Sequence, residues 1–135
     1  MKKLVIILGM RSGTSLTARI SQCMGAYLGE ADELMGAGPG NPDGHYENLE
    51  VVRINDNILH LCDKEWYSLE TPIPDCDSLQ MKKEMEAIKS VVRKLFKKSD
   101  TVVIKDPRIS VLLPLWGEVL KDLEIDVNYI WVYRN

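Results

Sequence analysis

The amino-acid sequence predicts an α/β protein of three layers, a parallel sheet with helices on both faces. Three observations carry that prediction. Short apolar, β-branched runs recur at Leu4–Leu8, Thr101–Lys105 and Val127–Tyr133. Segments with apolar residues at three- and four-residue steps separate them, and strands alternating with helices imply βαβ units and parallel pairing. The first run also enters a glycine-bounded turn, Gly9-Met10-Arg11-Ser12-Gly13-Thr14-Ser15, directly ahead of a helical pattern.

At 135 residues the chain fits one domain with a sizeable core, and 45% hydrophobic residues is ordinary for a globular protein. The formal net charge of −3 argues against binding to nucleic acid or a membrane surface, although a small anion site can sit inside an acidic protein. Cys23, Cys62 and Cys76 are odd in number and widely spaced, which suits reduced thiols in a cytoplasm better than disulfides or a zinc site. Met1-Lys2-Lys3 ahead of an apolar run mimics the start of a signal peptide. Arg11 interrupts that run and no small-residue cleavage site follows, so a strand is the better reading. No segment approaches the ~20 apolar residues of a membrane span.

The strand Leu4–Leu8 delivers the chain into the Gly9–Ser15 turn. A buried strand, a glycine-rich turn and a helix N-terminus together form a phosphate cradle: glycine lets the backbone approach an anion, and the free amides point at it. Arg11 adds a cation, and Ser12, Thr14 and Ser15 add hydroxyl donors. The spacing from Gly9 to Gly13 is one residue short of the G-x-x-x-x-G-K-[ST] P-loop, and Thr14 stands where that motif has lysine.

A first helix runs from Thr14 to about Met24, with Leu16, Ile20 and Cys23/Met24 at helical spacing, and ends at Gly25. Ala26 to Gly44 lacks sustained periodicity, and the Gly- and Pro-rich stretch 36–44 reads as a lid or substrate loop. Asn48 to about Cys62 is an amphipathic helix with Val51, Ile54, Ile58 and Leu61 inward. Asp63 to Asp77 is a loop holding Pro72 and Pro74; its Trp66 and Tyr67 either stack on a substrate or, the commoner use, plug the core edge.

A third helix, N-capped by Asp77 or Ser78, extends to about Lys98 with Met85, Ile88, Val92 and Leu95 inward. Its Lys89, Arg93, Lys94, Lys97 and Lys98 read as a solvated face with cations toward the helix C-terminus. Thr101–Lys105 is the second strand, stopped by Pro107. Val111 to Leu123 is a fourth helix with Pro114 near its first turn. Val127–Tyr133 is the third strand, and Arg134-Asn135 follow it.

In parallel sheets ligands bind beyond the carboxyl ends of the strands. Those ends carry Arg11, Lys105 with Asp106 and Arg108, and Arg134. This concentration of cations in an acidic protein points to a polyanionic ligand.

The same motifs resemble one family. Arg11-Ser12-Gly13-Thr14-Ser15 is similar to the loop with which sulfotransferases hold the 5′-phosphosulfate of PAPS (3′-phosphoadenosine 5′-phosphosulfate). Lys105-Asp106-Pro107 resembles the Lys-Asp-Pro of protein-tyrosine and bacterial sulfotransferases, whose lysine assists sulfuryl transfer. Tyr133-Arg134-Asn135 is similar to the start of their 3′-phosphate motif, and Gly40 to Asn48 to a loop common in bacterial members. The resemblance spans nearly the whole chain. It implies a P-loop NTPase-like sulfotransferase fold with PAPS as co-substrate, no metal, and a small-molecule or glycan acceptor with a hydroxyl or amine. Three features depart from the family. The serine of the 3′-phosphate motif and the family's C-terminal portion lie beyond this chain, so residues 1–135 are expected to be the N-terminal portion of a truncated or degenerate domain. Leu16 replaces the tryptophan that cytosolic members place against adenine, and Pro107 replaces the histidine base of their Lys-x-His motif.

The resemblance therefore implies that Gly9, Met10, Arg11, Ser12, Gly13, Thr14 and Ser15 hold the 5′-phosphosulfate and Arg134 the 3′-phosphate. Arg11 and Lys105 would neutralise charge on the departing nucleotide, and Lys105→Ala is expected to leave folding intact while weakening binding or turnover. For the base, Glu47 comes first because it sits among turn residues ahead of a helix, His45 second, and Glu30 or Asp32 third; the structural alternative for Glu47 is a carboxylate stabilising its own helix start. Two alternatives stay open. A P-loop nucleotide or small-molecule kinase would use Asp106 on Mg²⁺, and a non-catalytic nucleotide-binding fragment would use its third strand, as a sheet edge, to pair with a second copy of the chain.

Overall fold

The computed structural model describes residues 1–135. Strand β1 (Lys3–Leu8) leads to helix α1 (Thr14–Cys23), and a long connection with one 3₁₀ turn (Ala31–Glu33) leads to α2 (Leu49–Leu61) and α3 (Leu79–Leu95). Strand β2 (Thr101–Lys105), helix α4 (Ile109–Lys121) and strand β3 (Asp126–Trp131) complete the chain. The sheet is parallel throughout, in the order β2-β1-β3. Its register sets Ile7 opposite both Lys105 and Ile130, so the carboxyl ends of all three strands lie side by side.

Alternation along the strands divides the interior. Leu4, Ile6 and Leu8 of β1, with Val102 and Ile104 of β2, face the main core, which α2, α3 and α4 close with Ile54, Ile58, Ile88, Val92, Leu112 and Trp116. Ile7 and Val103 face the other way, onto Ala18 of α1 and Leu28. Helices thus cover both faces, as a three-layer α/β/α arrangement requires. Asn48 caps α2 by accepting from the Glu50 and Val51 amides, and Ser78 caps α3 by accepting from Met81. No helix is long and apolar enough to cross a membrane.

Several expectations are corrected. The apolar stripe of α1 does not turn inward: Leu16, Ile20 and Met24 are exposed, while Thr14 and Ala18 are buried. The helix sits close over β1 and β2, where only small side chains fit. Leu61 of α2 is likewise half-exposed, and Leu59 takes its place in the core. Helix α4 starts at Ile109 because the Asp106 and Pro107 carbonyls already accept from the Ile109 and Ser110 amides. Pro114 consequently lies inside the helix, beyond its first turn, and the Ser110 carbonyl loses its donor there. The segment after α1 is not free of the sheet: Tyr27 donates to the Thr101 carbonyl at 3.0 Å and accepts from the Val103 amide at 2.9 Å.

Candidate anion-binding site

The cradle is built by alternating backbone handedness. Gly9, Arg11 and Gly13 have φ of 120°, 49° and 99°, so the turn reverses at every second residue. Gly9 has no alternative, because a Cβ there would sit 2.4 Å from the Val132 carbonyl oxygen. The turn is pinned on both sides. The Gly9 amide donates to Ser110 Oγ at 3.1 Å, and Ser12 Oγ donates to the Val132 carbonyl at 2.7 Å.

The backbone N–H groups from Met10 to Leu16 donate to nothing in the protein, and α1 has no side-chain N-cap. The contrast with the capped starts of α2 and α3 is chemical. Open amides at a helix start, in a turn of alternating handedness, offer converging donors and a positive dipole end to an anion.

That opening lies in a cleft of about 900 Å³. Met10, Arg11, Gly13, Thr14, Ser15, His45, Glu47, Lys105, Arg108 and Arg134 all line it, so the residues expected at the three strand ends share one hollow. Glu30 and Asp32 are not brought there. Glu30 accepts from Tyr27 Oη at 3.0 Å and lies 3.7 Å from Lys98 Nζ on the outer surface. Trp66 lines the cleft with half its surface exposed instead of plugging the core, its ring edge-on to Tyr67 at 5.5 Å. Leu16, displaced from the interior, forms part of the cleft wall.

The floor of the cleft is an ion-pair network. Lys105, 3% exposed, donates from Nζ to Glu47 Oε1 at 2.7 Å, to the His45 carbonyl at 3.1 Å and to Ser15 Oγ at 3.3 Å. Glu47, 5% exposed, precedes the α2 cap and turns inward to Lys105, so it does not stabilise its own helix start. Removing one member of such a pair strands a buried charge, so the structure changes the expectation that Lys105→Ala leaves folding intact. Asp106 is fully buried: Oδ1 accepts from the Arg108 amide and Nη1, both at 3.0 Å, and Oδ2 accepts from Asn55 Nδ2 at 2.8 Å. Arg108 Nε donates to Asp56 Oδ1 at 2.6 Å. Burial works against the Arg108 charge, but Asp106 and Asp56 outweigh it and hold the guanidinium pKa above its usual value. Arg108 is therefore a neutralised cation, whereas Arg11 and Arg134 pair with no carboxylate.

The sequence reading missed Arg19, Asn41, Tyr46, Asn55 and Asp56. Arg19 stands one turn beyond Ser15 on the same face of α1, a spacing that could have revealed it. Its Nη1 donates to Tyr46 Oη at 2.6 Å, which holds its pKa above the usual value, and both residues line the cleft. Asn41 Nδ2 donates to Ser15 Oγ at 2.9 Å, tying the Gly-rich loop to the cradle. Asn55, in the apolar stripe of α2, accepts from Trp116 Nε1 at 2.9 Å; an amide in that stripe is the signal of a buried network.

Comparison with family models, curated proteins and solved structures finds no match for this chain.

Proposed function

We propose that the chain binds PAPS in this cleft and is the nucleotide-holding part of a sulfotransferase. The observation that carries the reading is the run of open amides from Met10 to Leu16, flanked in one cleft by the unpaired guanidinium groups of Arg11 and Arg134. The amides and Arg11 take the 5′-phosphosulfate, and Arg134 takes the 3′-phosphate. Leu16 gives the adenine an apolar wall in place of the family's tryptophan. Sulfuryl transfer is in-line displacement, in which the protein contributes position and charge stabilisation. Arg11 and Lys105 meet the charge on the departing nucleotide, and Glu47 takes the proton of a hydroxyl or amine acceptor. His45 lines the cleft but engages Lys105 and Ser15 through its carbonyl, which favours Glu47 over its imidazole as the base.

Two features favour this reading over a Mg²⁺-dependent kinase. Thr14 occupies the lysine position of the P-loop and is buried, and both oxygens of Asp106 are committed to Arg108 and Asn55. Thermal unfolding with added ligand tests the choice. Saturation with 3′-phosphoadenosine 5′-phosphate, without Mg²⁺, stabilises the chain by about 2.7 kcal/mol at a hundred times Kd. Arg11→Ala and Arg134→Ala each weaken that effect. Stabilisation by Mg-ATP alone refutes the reading, and sulfuryl transfer from PAPS by a monomer refutes the non-catalytic alternative.

A further inference from the structure

Resting on that reading, we propose that Lys105 is a gated cation. Glu47 holds it neutralised until the acceptor's proton reaches the carboxylate, and only then does its charge meet the departing nucleotide oxygen. The observation is one of valence. A lysine ammonium has three N–H donors and no acceptor. Here Glu47 Oε1, the His45 carbonyl and Ser15 Oγ take all of them, at 2.7, 3.1 and 3.3 Å. The resting lysine has no hydrogen to offer a ligand, although it lines the cleft.

The carboxylate is asymmetric. Oε1 is taken by Lys105, while Oε2 lies 3.7 Å from Arg108 Nη1, beyond hydrogen-bond range. Arg108 is drawn back by Asp106 and Asp56, so Oε2 is the oxygen with room for a proton. In the transfer step, the acceptor oxygen bonds to sulfur and its proton passes to Glu47 Oε2. The bond from sulfur to the 5′-phosphate oxygen breaks, and its electron pair stays on that oxygen. Glu47 is then a neutral acid with little hold on Lys105, which turns one N–H to the new phosphate oxygen. One carboxylate thus serves as base and as latch, and leaving-group stabilisation arrives with the proton.

Glu47→Gln removes the latch while keeping its shape. Without an acceptor, water can attack PAPS: its oxygen bonds to sulfur, the same bridging bond breaks, and its protons go to solvent. A loose transition state places most new charge on the leaving oxygen and asks little of a base. The freed Lys105 therefore speeds this hydrolysis at least about tenfold, part of the ~10²–10³ that one transition-state donor supplies. Acceptor-independent release of sulfate from PAPS is measured on the full chain, with affinity for 3′-phosphoadenosine 5′-phosphate determined alongside. The expected result is faster hydrolysis by Glu47→Gln at an affinity within about threefold of wild type, and its loss in Glu47→Gln/Lys105→Met. Hydrolysis by a folded, nucleotide-binding Glu47→Gln at or below the wild-type rate overturns the gate alone. Wild type that binds no nucleotide overturns the functional reading beneath it. Should Glu47→Gln not fold, Glu47→Asp decides: it keeps the charge and retracts by one methylene, so a smaller rise supports the gate and an unchanged rate overturns it.

Discussion

Replacing Lys105 by Met removes one charge of a pair that the structure sets at 2.7 Å with both side chains almost wholly buried. At an effective dielectric constant of ~20, unit charges at that separation attract by about 6 kcal/mol. The net loss is smaller, because Lys105 also escapes its desolvation penalty and Arg108 remains 3.7 Å from Glu47 Oε2. Breaking a buried pair from one side costs about 3–5 kcal/mol. With Arg108 still in place, the expectation for Lys105→Met is about 3–4 kcal/mol. Glu47→Gln/Lys105→Met leaves no stranded charge and recovers at least about half of that loss. Urea denaturation, read as a shift in midpoint at constant slope, measures both. A single variant that loses less than about 1 kcal/mol, or a double variant no more stable than the single, would refute the buried-pair account.

Gly9→Ala places a methyl against the Val132 carbonyl at φ +120°, so roughly 2–4 kcal/mol and nucleotide binding are both lost. Gly13→Ala at φ +99° meets no neighbour and loses only about 1–2 kcal/mol; equal losses in the two denaturation curves would contradict the packing argument. Asn55→Leu orphans Trp116 Nε1 and Asp106 Oδ2, at roughly 1–3 kcal/mol for each buried group, and a neutral result in urea would dismiss the network. On the acid side, hydrogen bonding from Lys94 holds the Glu33 pKa below the usual carboxylate value, and Lys89 does the same for Asp122. Their folded pKa values lie below the unfolded ones, so this stabilisation is present above about pH 4.5 and is lost as pH falls through the folded values. These surface pairs are screened, so the urea midpoint falls modestly between pH 5 and 3, and Lys94→Met shrinks that fall; an unchanged fall would exclude Lys94 as a contributor.

Much of the architecture is legible along the chain. The runs at Leu4, Thr101 and Val127 become strands, and Ser78 and Asn48 cap their helices, because period and capping chemistry act within a few residues. The cradle is legible for the same reason: its glycines and hydroxyls are neighbours. The stripe Leu16, Ile20, Met24 misleads, because periodicity marks a face without saying whether anything covers it. Trp66 misleads in the same way. Arg108 looks like a ligand cation until Asp56, on another helix, is seen 2.6 Å from its Nε.

From the sequence alone follow the alternation of strands and helices, the glycine turn at the first strand's end, and the gathering of charged residues at all three carboxyl ends. Only the tertiary structure decides which of those charges a ligand would meet. Lys105 and Glu47 lie far apart in the chain yet touch at 2.7 Å, while Arg11 and Arg134 meet no carboxylate. Local periodicity sets an element's type, but a site's electrostatics depend on which opposite charge arrives within a few ångströms and on how much water is excluded between them.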